Sequence, residues 1–281
     1  MMDFILSIAD VLLPSDAQGM LFMQTALLAI PLLMPLMGLL GTMAVNQQMA
    51  FFSDALGHSA LTGIGLGMIL GLHSDLMAML IFGIVWALLI CRIKQTGTAS
   101  ADTVISVFSS TSIAAGLLIL SWDGGFAKNS SLLVGDILTI QMQDVLFLLI
   151  ALVATVILWA LMYNSLLLSS INASLARTRG IRTRVMEALF VVLLAVAVML
   201  AINIVGAMLV NALLILPAAA GRNLARNSRQ HTVISILIAL FSGFAGFYSC
   251  YYWGTSPGAA IVLYAAVCYF ISLGLRRFVR G

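Results

Sequence analysis

The chain alternates long apolar runs with short polar breaks. Apolar runs occupy residues 19–44, 54–72, 75–91, 103–122, 144–163, 185–204, 206–221, 232–253 and 258–275. A helix needs roughly 20 mostly apolar residues to cross a bilayer, so each run reads as a spanning segment or close to one. The sixth and seventh are separated only by Val205 and Gly206 and could form one broken element, which makes the expected count eight or nine transmembrane segments. A membrane barrel would show short segments of strict alternation, and none is present. The predicted fold class is therefore all-α, a polytopic helical membrane protein forming one domain over residues 1–281. No repeat of 20–50 residues interrupts it.

The ends and loops are short. The apolar stretch 4–13 is too brief to span. Residues 1–18 carry Asp3, Asp10 and Asp16 but no Lys or Arg, unlike a secretory signal, so an interfacial piece is expected there. The longest connection, about 123–143, contains an amphipathic stretch at 131–140 that suits a membrane surface.

Composition narrows the class further. Hydrophobic residues make up 62% of the 281 and charged residues 8%, with a mean hydropathy of +1.13. Soluble domains average about 45–50% apolar and about 25% charged, so a soluble globular protein is excluded, as are disorder and a disulfide scaffold. Cys91, Cys250 and Cys268 are far apart and read as small buried hydrophobes. The net charge of +3 does not suggest a nucleic-acid partner.

The charges do report sidedness. All but Lys128 of the thirteen Lys and Arg fall in four clusters: Arg92 with Lys94; Arg177, Arg179, Arg182 and Arg184; Arg222, Arg226 and Arg229; and Arg276, Arg277 and Arg280. With nine segments, alternation puts all four on one side, which the positive-inside rule makes cytoplasmic. The amino terminus then lies outside and the carboxyl terminus inside. Asp3, Asp10, Asp16, Asp75, Asp123, Asp136 and Asp144 fall on the outer side.

Ionisable residues within a membrane segment usually carry function. Asp54 and His58 open the second segment in Phe51-Phe52-Ser53-Asp54-Ala55-Leu56-Gly57-His58-Ser59. Their spacing of four places both on one helix face. A carboxylate and an imidazole together suit a divalent transition metal, although two ligands do not complete a tetrahedral site. The same pair could relay a proton, or Asp54 could be a capping residue and His58 a hydrogen-bonded one. Gly63, Gly67 and Gly71 follow at intervals of four, with Gly65 between, a pattern for close helix contact. Asn203 and Asn211 suit interhelical hydrogen bonds, and Pro217 can break or kink the seventh segment. Arg222, Arg226 and Arg229 recur at four and three, predicting one face of a short helix that anchors the chain or docks on a partner. His73 and His231 read as lone loop histidines without a special role.

No G-x-x-x-x-G-K-[ST] motif occurs, so the chain has no P-loop ATPase of its own. A Ser/His/Asp order, an H-E-x-x-H pair and a Rossmann glycine pattern are also missing, and the chain does not read as an enzyme.

Four stretches carry a family resemblance over roughly residues 19–279. They are Gln48-Met49-Ala50-Phe51-Phe52-Ser53-Asp54-Ala55-Leu56-Gly57-His58 with Gly63; Leu133-Val134-Gly135-Asp136-Ile137-Leu138; Val205-Gly206-Ala207 through Leu216-Pro217-Ala218-Ala219 to Arg222; and Ser256-Pro257-Gly258-Ala259-Ala260-Ile261-Val262. In this order they resemble the permease subunit of ABC importers for zinc, manganese and iron(II), the ABC-3 type metal permeases. Ser53 departs from the glycine of many members. The resemblance implies a type II importer permease fold, a homodimer in the bacterial plasma (inner) membrane and two cytoplasmic ATPase subunits. It also implies an extracytoplasmic metal-binding protein that delivers the ion, and no permanently bound cofactor.

On that resemblance the metal contacts fall on Asp54 and His58, and the segment that couples to the ATPase falls on about 221–230, with Arg222, Arg226 and Arg229. The transported ion is expected to be Zn2+, or else Mn2+ or iron(II), moved by alternating access. Protonation of His58 would compete with metal and weaken uptake at acid pH. A proton-coupled secondary transporter using Asp54–His58 as its relay, and a non-transporting membrane scaffold, are the alternatives from other classes; neither needs an ATPase.

Overall fold

A computed structural model describes residues 20–72, 74–97, 99–122, 135 and 140–280. The expectations for residues 1–18, for His73 and for most of 131–140 lie outside the described residues. Ten helices account for nearly all the rest: α1 (Leu21–Asn46), α2 (Phe52–Ile69), α3 (Asp75–Lys94), α4 (Ala101–Trp122), α5 (Met142–Ile171), α6 (Ala173–Thr178), α7 (Thr183–Val205), α8 (Ala207–Leu224), α9 (Ser228–Trp253) and α10 (Pro257–Arg280). No strand occurs among the described residues. Each predicted apolar run is a helix, and eight of the nine are long and apolar enough to cross a membrane. The exception is α2, whose Ser, Gly, Thr, Asp and His residues dilute its apolar character. The break at Val205–Gly206 separates two helices. Pro217 sits inside α8 without ending it.

α2 packs against α3, α4, α7 and α8, while α1 packs against α5, α8 and α9, and α8, α9 and α10 pack on one another. α1 and α7 are the most enclosed spans; α4, α5 and α10 leave most of their surface open. Small residues set the closest approaches. A Cβ on Gly41 would overlap the Leu214 carbonyl oxygen, and one on Gly38 would sit 3.1 Å from the Ile236 Cα. Gly63 and Gly67 meet α3 at Ala78, and Gly65 meets α4 at Ile119. Gly71 instead turns the chain at φ 70° with no atom near it, so the expected glycine stripe stops at Gly67.

The packing also brings the basic clusters to one end. Lys94 Nζ pairs with Glu187 Oε1 at 2.8 Å, joining the end of α3 to the start of α7. Gln47, just past α1, donates from Nε2 to the Leu166 carbonyl at 3.1 Å near the end of α5 and lines a cavity with Arg177 and Arg184. α1 runs antiparallel to α9, because Gly243 abuts Ile30 and Met34 while Gly38 abuts Ser235. The end of α1 and the start of α9 are therefore neighbours, and Asn223 of α8 donates to Ser272 of α10 at 3.1 Å. We refer to this as the basic end of the bundle.

Candidate functional site

The chain leaves α1 through Gln48, the one non-glycine with positive φ (57°) among the described residues, and enters α2 at Phe52. Thirteen of the eighteen α2 residues are buried, so the helix is surrounded along most of its length. It opens at its start, along Phe51, Asp54 and His58, spaced by three and four, and again in its last turn, at Leu66, Met68 and Ile69. His58 Nε2 lies 3.6 Å from Asp54 Oδ2, with side chains 25% and 43% exposed respectively. That distance is a close contact but too long for a hydrogen bond. Asp54 is not a capping residue, because the N-cap is Phe51 and no side chain caps it. An acid in the first turn is still favoured by the helix dipole.

The adjacent face of α2 explains why the pair points outward. Ser53 and Gly57, also four apart, face α8. Ser53 Oγ donates to Asn211 Oδ1 at 2.6 Å, and a Cβ on Gly57 would sit 3.1 Å from the Ala207 carbonyl oxygen. With that face fixed, the helix rotation turns Asp54 and His58 to the subunit surface. In the sequence Ser53 stands out only as a departure from a glycine pattern. Its pairing with Asn211 is 158 residues away along the chain, and no local signal could find it.

The four stretches that carried the family resemblance converge beside this point. Gly206 has φ 92° and ψ 155°, a region essentially confined to glycine. Three other glycines press on the same break. Gly57 meets Ala207 O. Gly135, at φ 64°, leaves no room for a Cβ against the Val205 and Gly206 backbone. Gly258 is close to Val205 and Leu209. Asn203, near the end of α7, donates to Asp144 Oδ1 at 3.4 Å, so both asparagines make the interhelical bonds expected of them.

Among the described residues no group of three or more His, Cys, Asp and Glu is arranged to hold a metal ion. Asp54 and His58 supply two adjacent donors and no more.

The arginine segment differs from expectation. Instead of a short helix with Arg222, Arg226 and Arg229 on one face, the chain forms an elbow. α8 carries Arg222 in its last turn, Ala225 is extended (φ −82°, ψ 140°) and α9 starts at Ser228. Arg226 lies in the connection and Arg229 in the first turn of α9, so the shared helical face is lost. Asn227 Oδ1 accepts from Gln230 N at 2.8 Å, and Gln230 Oε1 accepts from Arg226 N at 3.1 Å; this reciprocal pairing satisfies amides that would otherwise prolong the helix. His231 is not a loop residue either. It is buried in α9, and its Nε2 lies 2.9 Å from the Ala218 carbonyl, which requires the ring to donate from that nitrogen. Gly221 abuts Ser235, and Ser235 Oγ donates to the His231 carbonyl at 2.7 Å.

The sequence pattern of the ABC 3 transport family matches residues 20–276. The chain belongs to that family. The resemblance expected over residues 19–279 is thus confirmed almost to its limits. Relatives include the manganese import system permease protein ScaB of Streptococcus parasanguinis, 30% identical over 89% of each chain. Another is the high-affinity zinc uptake system membrane protein ZnuB of Haemophilus influenzae, 26% identical over 83% of this chain and 90% of its own. Among solved structures, that of PsaBC from Streptococcus pneumoniae in complex with Fab superposes with a TM-score of 0.82 at 26% identity, covering 100% of this chain and 99% of the other. The fold is that of an ABC importer permease, as expected. Like its relatives, the chain is a membrane permease subunit, a transport component without catalytic activity of its own.

Proposed function

We propose that this permease carries a divalent transition-metal ion, zinc by preference, past Asp54 and His58. The observation that carries the reading is the open carboxylate–imidazole pair on a helix that is buried along most of its length. Ionisable side chains within membrane segments almost always face a bundle interior or a water-filled cavity, which supports this edge facing a pathway or another subunit rather than acyl chains. Imidazole with carboxylate suits zinc, and an oxygen-rich, water-filled site suits manganese. Relatives named for each metal exist, so manganese is the alternative within the same architecture.

Two donors are too few for a stable site, which supports a homodimer whose two-fold axis brings two Asp54–His58 pairs together. The basic end faces the cytoplasm by the positive-inside rule. There the Arg222–Arg226–Arg229 elbow meets an ABC ATPase subunit, two copies per dimer, while a metal-binding protein delivers the ion on the opposite side. A transit site with few ligands also lets the ion leave.

Uptake in cells producing the permease with its ATPase and binding protein tests this. Zinc entry should collapse in Asp54→Ala and His58→Ala at unchanged membrane levels, and manganese should not compete. Preferred manganese uptake would replace zinc as the cargo. Normal transport by both variants would remove Asp54 and His58 from the pathway. Failure of any ATPase subunit to co-purify would favour the proton-coupled reading.

A further inference from the structure

Two adjoining cavities, neither lined by Asp54 or His58, open at the basic end. The larger, about 580 Å3, lies between the end of α3 and the start of α7. The smaller, about 190 Å3, continues it toward α6. Gln95 and Arg184 line both; Arg92 lines the first and Arg177 the second. One turn further from the helix ends, the larger cavity is lined by apolar Leu88 and Ala188. Leu88 is 40% exposed, and Val185 and Leu189 continue the exposed apolar surface along α7.

The charges here do not cancel. Glu187, the one acid lining these cavities, is engaged by Lys94 at 2.8 Å and by Gln95 Nε2 at 3.1 Å. Among the described residues Arg92, Arg177 and Arg184 make no ion pair, so three guanidinium groups without an acidic partner line the two adjoining cavities, Arg184 being common to both. Each offers a planar fork of donors suited to phosphate oxygens. The groove is thus cationic at the membrane boundary and apolar toward the membrane interior. A ligand that matches both ends carries a phosphate on an acyl chain.

We infer that this groove binds an anionic phospholipid, with its phosphate held by Arg92, Arg177 and Arg184 and an acyl chain lying along Leu88 and Ala188. Basic recesses between helices at a cytoplasmic boundary are suited to such headgroups, each Lys or Arg near the surface contributing about 1 kcal/mol. The inference rests on the geometry of the basic end and is independent of which metal is carried.

Native mass spectrometry of the full-length protein in detergent tests it, with phosphatidylglycerol and phosphatidylcholine as probes. Phosphatidylglycerol should be retained at least about tenfold better, and Arg92→Gln, Arg177→Gln and Arg184→Gln should each weaken retention about fivefold. Arg276→Gln/Arg277→Gln, which removes twice as much charge as any one of these from the exposed end of α10, should leave it unchanged. Equal retention of both lipids, or equal loss in the α10 variant, would overturn the proposal. So would displacement of the lipid by millimolar inorganic phosphate, which would make the site one for a free anion. Loss of ATPase co-purification in the groove variants with lipid retention intact would assign the arginines to a protein surface instead and would also overturn it.

Discussion

Ser53 of α2 donates a 2.6 Å hydrogen bond to the Asn211 side chain of α8, and the next residue along α2 is Asp54. The bond lies between the first turn of one helix and the first turns of another, with Ser53 buried and Asn211 half-buried. It therefore fixes the rotation of α2 at the residue where rotation decides whether a carboxylate faces the subunit surface or its interior.

Removing either partner should loosen that rotation. Ser53→Ala and Asn211→Ala should each destabilise the protein by about 1 kcal/mol. The double variant should lose less than the sum, giving a positive coupling in a thermal-stability cycle in detergent. Metal uptake should fall several-fold in each single variant. Strict additivity would show that the bond does not position the helix.

Gly135 and Gly97 separate backbone strain from crowding. Both have φ near +70°, 64° and 71°. Nothing lies within 4 Å of a Cβ at Gly97, while one at Gly135 would overlap the Val205 and Gly206 backbone. Alanine at Gly97 should lose only the left-handed backbone penalty, about 1–2 kcal/mol. Alanine at Gly135 should lose that plus about 1–3 kcal/mol of overpacking, read as a distinctly lower melting temperature and folded yield. Equal losses at the two positions would refute the close packing on the α7–α8 break.

The Lys94–Glu187 pair is 80% enclosed at each side chain. Glu187→Ala strands an ammonium and Lys94→Ala leaves the carboxylate with only the Gln95 amide, each expected to destabilise by about 1–3 kcal/mol. The double variant should recover part of that loss. A double variant as unstable as the sum of the singles would mean that the pair contributes through packing alone.

His231 ties the elbow to α8. His231→Ala leaves the Ala218 carbonyl one hydrogen bond short and opens a space beside Ala218, an expected loss of about 1–3 kcal/mol. If the elbow transmits ATPase motion, metal-dependent ATP hydrolysis by the assembled complex should drop further than stability does. Unimpaired hydrolysis with a lowered melting temperature would confine His231 to a packing role.

Some features were legible in the residues alone because their causes are local. Nine apolar runs became nine long helices, since burial or membrane insertion of a continuous run needs no knowledge of its neighbours. The four basic clusters came together at one end, because spans of similar length alternate regardless of how they pack. Asp54 and His58 share a face because the helix repeat places residues four apart side by side. What tertiary structure alone decided depends on contacts between residues distant in sequence. Ser53 and Asn211 set the direction in which Asp54 and His58 point. Gly57, Gly135 and Gly258 share a use, close approach to the 205–207 break, that no one of them reveals. The arginine segment, helical by its spacing, became an elbow because the side chains of Asn227 and Gln230 took over the amides that continued helix would have bonded. Lys94 and Glu187 were two ordinary charges until α3 and α7 were laid side by side. Periodicity and charge are properties of a stretch of chain and can be read along it; helix rotation, close approach and ion pairing are properties of two stretches at once and exist only after the bundle has formed.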